Sequence, residues 1–423
     1  MDRPRRIATI SLHTSPLDQP GTGDAGGLNV YVVEVAKRLA ERDIEVEIFT
    51  RAVCRDVPPV VEMAPGVLVR NVVAGPFEEL DKNSLPAQIC PFTFGVLRTE
   101  AAYAPGHYDL LHAHYWLSGQ VAVSAAERWG VPLIQSMHTL GKVKNLALAE
   151  GDRAEPSARI RGEHEVVAAA DRLVANTDEE ARQLVSLYDA DPGRVQTVNP
   201  GVDLSLFRPG AQDAARRRLG LPADALVLLF AGRVQPLKGP DIVLRTVAAL
   251  LADGLLPPEV AERLVVVFVG GPSGSEVGAP GRLAALADGL GIAGRVRLEP
   301  PCPQTELADW YRAASIVMVP SHSESFGLVA LEAQAGGTPV VAAAVGGLRT
   351  AVRDGFSGML IDGHDPADYA RVVARLATSG GRLASLSQGA VSHASAFGWG
   401  ATADGLVDVY TGAMNEAAAA LSA

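Results

Sequence analysis

Cysteine, aromatic residues and long apolar runs are all scarce in this chain. Three cysteines, Cys54, Cys90 and Cys302, occur among 423 residues, and they are widely separated and odd in number. This pattern supports neither a disulfide framework nor a zinc ribbon, so a reducing cytoplasm is the expected compartment. No apolar run approaches the ~18 residues that a membrane-spanning helix needs. The apolar run near the amino terminus is too short for a secretory signal, so no membrane partner is expected.

Positive charge is also in the minority. The formal net charge is −11 at neutral pH, which argues against a nucleic-acid partner. Basic residues such as Arg233 and Lys238 are therefore expected to serve local sites. The chain is instead rich in small apolar residues, with 48% hydrophobic but only 5% aromatic content. This composition is typical of α/β layers, and the length predicts about two to three domains.

Strand-like apolar runs alternate with helical patterns, which predicts parallel sheets with crossover helices. The predicted strands are Ile7–Leu12, Val46–Thr50, Leu68–Val73, Leu110–His112, Leu133–Met137, Leu173–Asn176, Leu226–Ala231, Val265–Gly270, Val296–Leu298, Ile316–Val319 and Val340–Ala343. The pattern begins again in the second half, so the fold class is α/β with two successive doubly wound domains. We place the first domain at 1–204, completed by a C-terminal helix at about 395–423, and the second at 205–394. Gly and Pro punctuate Val198–Leu204, which we interpret as a hinge.

The most informative segment is Pro320–Pro339. It places Glu324 in a polar loop and Glu332 inside an apolar helical run. A carboxylate in such a run is costly to bury unless it is hydrogen-bonded, and the hydroxyls of a sugar nucleotide are suitable donors. The intervening N–H groups begin a helix and suit a phosphate. The segment therefore predicts a sugar-nucleotide site, against the simpler interpretation of a helix with one solvent-facing glutamate.

A second candidate site is the glycine-rich loop between the first strand and the first helix. Gly21, Gly23 and Gly26 match the G-x-G-x-x-G pattern of dinucleotide-binding domains. That fingerprint needs its first glycine at the strand end, whereas roughly eight residues intervene here. We interpret the loop as an anion or sugar site, with Asp24 and Asn29 as hydroxyl partners. An NAD-dependent oxidoreductase stays the alternative from a different class.

Two cations follow the first strand of the second domain. Arg233 and Lys238 flank the turn after Leu226–Ala231 and can hold a diphosphate as it leaves. The next strand ends in another glycine-rich turn, at 270–275, on the same edge of the sheet. Because ligands of open α/β sheets collect at that edge, both turns are expected to line one site. The alternative is a pair of surface charges.

Polar side chains also end strands in the first half. His112 and His114 have no third ligand at a plausible spacing, so satisfied polar packing is favoured over a metal site. Four more candidates, Lys82, Tyr115, Thr139 and Arg159, are distant in sequence, and their convergence cannot be derived from spacing. His138 ends a strand immediately before Thr139.

These motifs resemble a known family. Glu324 and Glu332, followed by the Gly336–Val341 strand start, are similar to the retaining glycosyltransferases of family 4, whose GT-B fold has two Rossmann-like domains facing across a cleft. Within that family, the chain resembles the mycothiol-pathway glycosyltransferases that act on inositol phosphate, from about residue 6 to 411. The motifs that carry this closer resemblance are His13–Leu17, Gln19–Tyr31, His114–Gly119, His138–Leu140, Lys142–Asn145 and Gln235–Lys238.

The resemblance implies transfer of N-acetylglucosamine from UDP-GlcNAc to 1D-myo-inositol 3-phosphate with retention, without a covalent enzyme intermediate. Catalytic roles are implied for His138, Arg233, Lys238 and Glu324. Implied donor contacts are Gln19, Pro20, Gly27, Arg233, Lys238, Cys302, Glu324, Ser325, Phe326, Gly327, Leu328 and Glu332. Implied acceptor contacts are His13, Asp24, Ala25, Gly26, Gly27, Leu28 and Asn29, with the phosphate held by Lys82, Tyr115, Thr139 and Arg159.

The resemblance also bears on cofactors and partners. It implies no cofactor for the chemistry, although it allows a structural Mg²⁺ on the backbone carbonyls of Tyr311, Arg312, Ala314 and Thr338. The expected partners are a nucleotide-sugar donor, a small polar acceptor and a second copy of the chain in a homodimer.

Three alternatives stay open at this point. A relative used in lincosamide-type antibiotic synthesis, moving a GDP-activated octose to a thiol acceptor such as ergothioneine, would carry nearly the same motifs. The intact phosphate-binding set favours inositol phosphate over that acceptor without deciding between them. The oxidoreductase leaves the Glu324–Glu332 pair unexplained, and a non-catalytic sugar-nucleotide sensor is the third possibility.

Overall fold

The computed structural model describes residues 3–149, 153–272 and 278–422. The predicted glycine-rich turn at 270–275 therefore lies outside the described residues from position 273 onward.

The first half of the chain forms an eight-stranded sheet in the order β3-β4-β2-β1-β5-β6-β7-β8. Its strands are β1 Arg6–Ile10, β2 Glu45–Arg51, β3 Val60–Ala64, β4 Val67–Val72, β5 Leu110–His114, β6 Leu133–Ser136, β7 Arg172–Ala175 and β8 Val195–Thr197. The helices are α1 Gly27–Ala40, α2 Ile89–Glu100, α3 Trp116–Trp129, α4 Gly141–Leu146, α5 Ser157–Ala169 and α6 Asp178–Tyr188. Neighbouring strands are parallel except for the antiparallel pair β3–β4.

The second half forms a six-stranded parallel sheet in the order β11-β10-β9-β12-β13-β14. Its strands are β9 Leu226–Ala231, β10 Leu264–Val269, β11 Val296–Glu299, β12 Ile316–Val319, β13 Val340–Ala343 and β14 Gly358–Ile361. The helices are α7 Gln212–Arg218, α8 Pro240–Ala252, α9 Pro258–Glu262, α10 Ala279–Gly289, α11 Gln304–Ala313, α12 Leu328–Ala335, α13 Leu348–Ala351, α14 Pro366–Ala377, α15 Gly380–Ala394 and α16 Trp399–Ser422. The predicted fold class, with two doubly wound parallel sheets, is confirmed.

Both faces of each sheet are covered, which explains why the strands have continuous apolar runs. All six residues of β9 are buried, as expected of a strand inside a parallel sheet. Successive residues of a strand point to opposite faces. In β1, accordingly, Ala8 and Ile10 join the core on one face of the sheet, while Ile7 joins the core on the other.

Helix α16 returns to the first domain although it follows the second in sequence. Its residues Leu406 and Tyr410 are buried in one core with Val35 and Leu39 of α1. None of the helices in the described part of the chain has the length and apolarity that a membrane crossing needs.

The chain passes twice between the domains, and the two passages are bonded to each other. The Val202 N–H donates to the carbonyl of Phe397 at 2.7 Å, and the Thr402 hydroxyl donates to the carbonyl of Asn199 at 2.8 Å. A methyl group on Gly201 would lie 2.5 Å from the backbone nitrogen of Trp399. The close approach therefore requires glycine there, and a hinge at this crossing stays a prediction.

Three strands and several helices were not predicted. Strand β3 is an antiparallel edge strand after Pro58 and Pro59, so it lacks the buried apolar run of the central strands. Helix α15 begins with Gly380 and Gly381, which have low helix propensity. Tertiary packing stabilises both elements where local sequence does not.

Candidate active site

A cavity of about 780 Å³ lies between the two domains, lined by residues that follow the carboxyl ends of their strands. Its walls are formed by the loop after β1, the turns after β5 and β6, and the turns after β9, β12 and β13. This is the edge at which open α/β sheets bind ligands.

Most of the predicted site residues line this cavity. They are His13, Gln19, Pro20, Asp24, Gly26, Gly27, Leu28, Lys82, Tyr115, His138, Thr139, Arg159, Arg233, Lys238, Cys302, Tyr311, Glu324, Ser325, Phe326, Gly327, Leu328 and Glu332. Ala25 and Asn29 are not among the lining residues. The Asn29 side chain instead accepts from the Gly26 N–H at 3.1 Å and donates to the carbonyl of Ser15 at 2.6 Å. In this geometry Asn29 ties the glycine-rich loop to α1, and its contact with the acceptor stays a prediction.

At one end of the cavity, cations of the second domain lie beside acidic residues. Lys238, in a 3-10 turn after β9, forms an ion pair of 2.5 Å with Glu324 in the loop before α12. The Arg233 guanidinium lies 3.8 Å from the carboxylate of Asp24, across the domain boundary. Burial lowers the pKa of Arg233, so a further anion in the cavity would stabilise its charged form.

Glu332 lies in the middle of α12 and is buried, 6% exposed. The Tyr311 hydroxyl donates to its carboxylate at 2.8 Å. Burial raises the pKa of Glu332 from 4.5 to about 7, although this hydrogen bond acts in the opposite direction. A carboxyl group poised in this way can accept hydrogen bonds from ligand hydroxyls when it is ionised.

Two helices begin at the cavity from opposite sides. Gly327 precedes α12 with φ of 103°, a conformation that favours glycine. A methyl group on Gly27, the first residue of α1, would lie 3.3 Å from the Leu328 side chain. The starts of α1 and α12 therefore face each other closely, and unpaired N–H groups at such positions suit an anionic ligand.

His138 has an unusual backbone conformation, with φ of 59°. Its Nε2 lies 2.9 Å from Nδ1 of His114, and its ring packs against Tyr31 at 4.9 Å between ring centres. Burial lowers the pKa of His138 to about 3. At neutral pH the imidazole is therefore uncharged and can only donate or accept hydrogen bonds.

The histidine pair in β5 is held by polar packing. His112 lies 2.7 Å from the Tyr410 hydroxyl and 2.9 Å from the Ser136 hydroxyl. No cluster of three or more metal-binding side chains occurs among the residues that the structure describes.

The four dispersed candidates line the same cavity. The Arg159 guanidinium donates to the Thr139 hydroxyl at 2.7 Å and lies 5.1 Å from the ring centre of Tyr115. Lys82 forms an ion pair of 2.8 Å with Asp24. Spacing could not predict this convergence, because each residue follows a different strand or loop.

Lys144 in α4 also lines the cavity, and no role was predicted for it. It forms an ion pair with Glu155, and burial lowers its pKa, to which Arg159 and Lys82 also contribute. The signal that could have identified it was the basic motif Lys142–Asn145, which contributed only to the resemblance.

The carbonyls predicted to hold a structural Mg²⁺ belong to Tyr311, Arg312, Ala314 and Thr338. The Thr338 hydroxyl donates to the carbonyl of Tyr311 at 2.6 Å, and the Gln212 amide donates to that of Ala314 at 2.8 Å. Two of the four carbonyls thus already accept a hydrogen bond from a side chain, and each keeps a second lone pair. The structural Mg²⁺ stays a prediction.

The fold and site define the class: a GT-B glycosyltransferase, with two doubly wound domains facing across a cleft that holds both acids and cations. The family described as "Glycosyl transferase 4-like domain" matches residues 26–201, and "Glycosyl transferases group 1" matches residues 211–392. Sucrose-phosphate synthase from Thermosynechococcus elongatus has a TM-score of 0.87 at 29% identity, over 96% of this chain and 98% of its own.

Closer relatives define the family. The D-inositol 3-phosphate glycosyltransferase of Thermobispora bispora is 65% identical over 412 residues, which cover 97% of this chain and 96% of that protein. The enzyme of the same name from Thermomonospora curvata is 67% identical over 414 residues, which cover 96% of this chain and 95% of that protein. The chain belongs to the D-inositol 3-phosphate glycosyltransferase family. It is a nucleotide-sugar-dependent glycosyltransferase.

Proposed function

We propose that the protein transfers N-acetylglucosamine from UDP-GlcNAc to 1D-myo-inositol 3-phosphate with retention of configuration, the glycosyl-transfer step of mycothiol synthesis. One observation carries this proposal: Lys82, Tyr115, Thr139 and Arg159 line the same cavity as the Lys238–Glu324 pair. A phosphate-binding set and a diphosphate-binding set in one cleft fit a phosphorylated acceptor and a nucleotide-sugar donor. The names of the relatives agree with this acceptor.

The donor end supports a binding mode for the nucleotide sugar. Arg233 and Lys238 hold the diphosphate together with the start of α12. The Glu324 carboxylate accepts hydrogen bonds from hydroxyls of the donor sugar, and the Glu332 carboxylate accepts hydrogen bonds from those of the ribose. Burial raises the pKa of the Cys302 thiol to about 11, so this residue meets the nucleotide base as a neutral group.

The mechanism that fits these groups is front-face retaining transfer. The bond between the anomeric carbon and the leaving phosphate oxygen breaks, and the acceptor oxygen bonds to the same face. The departing β-phosphate oxygen takes the proton of the acceptor hydroxyl. Neutral His138, whose pKa is about 3, does not compete for that proton and orients the sugar by hydrogen bonding.

Charge develops on the diphosphate as it leaves, and the protein stabilises that charge. Arg233, Lys238 and the N–H groups at the start of α12 are already in place for it. We therefore propose that the chemistry needs neither a cofactor nor a metal. Closure of the domains about Asn199–Val202 would exclude water and limit hydrolysis of the donor.

The ionisation of Glu332 predicts a pH dependence of donor binding. Its pKa of about 7 in the folded protein means that its ionised fraction rises as pH increases through neutrality. Because the carboxylate is the better acceptor for ribose hydroxyls, the donor KM of the native enzyme should fall between about pH 6 and pH 8. Glu332→Gln should remove this difference. If the donor KM depended on pH equally in the native enzyme and in Glu332→Gln, the proposed role of Glu332 would be contradicted.

The other candidate functions are not favoured. Strand β1 ends at Ile10 and α1 begins at Gly27, so the glycine pattern does not form the tight strand-to-helix turn of an NAD site. No feature of the cavity points to a thiol acceptor.

A donor-by-acceptor screen tests the proposal. UDP-GlcNAc and GDP-sugars would each be incubated with inositol 3-phosphate, free inositol and ergothioneine, and the products read by mass spectrometry. We expect product from UDP-GlcNAc with inositol 3-phosphate. Turnover of ergothioneine in its place would overturn the assignment of the acceptor.

Location and assembly complete the proposal. The three cysteines are free thiols, which supports a reducing cytoplasm. The expected homodimer is checked by light scattering on the purified protein.

A further inference from the structure

A carboxylate of the protein itself lies on the cations that the acceptor phosphate would use. Glu155 accepts from Nη1 of Arg159 at 2.8 Å, and its same oxygen pairs with the ammonium group of Lys144. The backbone of Glu155 is anchored separately, because its N–H donates to the Asn145 side chain at 2.7 Å. The carboxylate can therefore leave the two cations without displacing the chain.

Glu163 carries the second carboxylate that pairs with Arg159, and it differs from Glu155 in its burial and in the number of its hydrogen-bond donors. It is fully buried and accepts from Nε of Arg159 at 2.7 Å, from the Gly141 N–H at 3.0 and 3.1 Å, and from the Tyr188 hydroxyl. The Glu155 side chain is 19% exposed, and among the described residues its carboxylate pairs only with these two cations. Glu163 is thus a permanent part of the site, whereas Glu155 is exchangeable.

The charges around Arg159 balance while Glu155 is in place. The two cations, Arg159 and Lys144, face two carboxylates, those of Glu155 and Glu163. Lys82 shares Asp24 with Arg233 and lies outside this balanced set. A phosphate dianion would gain little attraction from such a neutral cluster. If the Glu155 carboxylate moves away, the cluster becomes net positive.

The donors of Arg159 show where a phosphate would bind. Its Nε is used by Glu163, and its Nη2 donates to the carbonyl and hydroxyl of Thr139 at 3.3 and 2.7 Å. Glu155 takes the remaining Nη1 together with Lys144. A phosphate offers the same kind of anionic oxygen and more of them, so it can replace the carboxylate on both cations.

We propose that Glu155 is a built-in competitor of the acceptor phosphate and that Lys144 is an additional phosphate ligand. This inference rests on the proposed function. When a phosphorylated acceptor enters, its phosphate replaces the Glu155 carboxylate on Arg159 and Lys144. A neutral acceptor cannot make this exchange, and a monoanion makes it poorly, so a dianionic phosphate is the acceptor group that displaces Glu155.

Calorimetric titration of the full chain with inorganic phosphate tests the exchange directly. Glu155→Gln should lower the Kd of phosphate about tenfold, because the competing charge is gone. Lys144→Gln should raise it by about the same factor. Glu165→Gln is the control: Glu165 is exposed on α5 and pairs only with Gln120 among the described residues, so removing its charge should leave the Kd unchanged.

The exchange predicts that the Kd of phosphate changes in opposite directions in the two variants, Glu155→Gln and Lys144→Gln. A purely structural role of the ion pair predicts a change in the same direction. If the Lys144–Glu155 pair only braced the loop, both variants would weaken phosphate binding. An unchanged or raised Kd in Glu155→Gln, or no phosphate binding in any variant, would overturn the proposal. Thermal melting of each variant checks its fold, and Glu155→Ala, which should also lower the Kd of phosphate, keeps the test available should Glu155→Gln fail to fold.

Kinetics then extend the test to the acceptor. The KM of Glu155→Gln for inositol 3-phosphate should fall several-fold, with kcat little changed. The KM for free inositol, which has no phosphate to exchange with Glu155, should change less. The two proposals fail separately: a native enzyme that does not use inositol 3-phosphate refutes the function, whereas the phosphate titration still decides the exchange.

Discussion

Replacing Lys238 by alanine should lower kcat by about 10²–10³-fold, as expected when one donor to a developing oxyanion is removed. Lys238 lies in the cavity with its ammonium group 2.5 Å from Glu324. In the proposed mechanism it stabilises the diphosphate as its charge develops, so the loss should fall on kcat more than on the donor KM. Steady-state kinetics with saturating acceptor measure both constants.

A suitable control for this variant is Lys37→Ala. Lys37 lies on α1 and pairs with Glu34 outside the cavity. Its replacement should leave kcat unchanged. Near-normal turnover of Lys238→Ala, with a native melting curve, would refute the proposed diphosphate clamp.

Gly346→Ala should destabilise the loop that carries Glu324. Gly346 has φ of 43°, and a methyl group there would lie 2.2 Å from the carbonyl oxygen of Glu324. The backbone of one of the two loops must shift, so we expect a loss of about 3 kcal/mol in the free energy of unfolding. The value of kcat/KM should also fall, because Glu324 and its partner Lys238 lose their alignment. Urea unfolding and steady-state kinetics measure the two effects.

Gly355→Ala is the control that distinguishes the cost of the steric clash at position 346 from the cost of a positive φ for alanine. Gly355 also has a positive φ, of 69°, but a methyl group there meets no atom within 4 Å. This variant should lose only about 1–2 kcal/mol, the cost of a left-handed conformation for alanine, and retain its activity. If Gly346→Ala and Gly355→Ala lost the same free energy of unfolding, the contact with Glu324 would be unimportant.

Local sequence was sufficient for the donor end of the cavity. Glu324 and Glu332 lie on either side of the start of α12, and Arg233 and Lys238 follow β9. Each group is positioned by the strand, turn or helix in which it lies, over a few residues of chain. Turn chemistry and apolar periodicity act over that same distance, so pattern alone could place them.

The acceptor end could not be predicted in the same way. Lys82 follows β4, whereas Thr139 and Arg159 both follow β6, so the order of the strands and the path of the loops decide whether these residues share a cavity. The resemblance named these residues, but not Lys144 or Glu155. It also implied an acceptor contact for Asn29, which stays a prediction, but not the role of this side chain in holding the glycine-rich loop.

The sequence by itself determined the two doubly wound sheets, the helix start between two carboxylates and the pair of cations after β9. These features depend on side-chain periodicity and turns, which are encoded over short stretches. Only the tertiary structure decided which distant side chains share a cavity, and that the carboxylate of Glu155 pairs with both Arg159 and Lys144. Strand order and domain packing decide such contacts, and they depend on the burial of apolar surface throughout the chain.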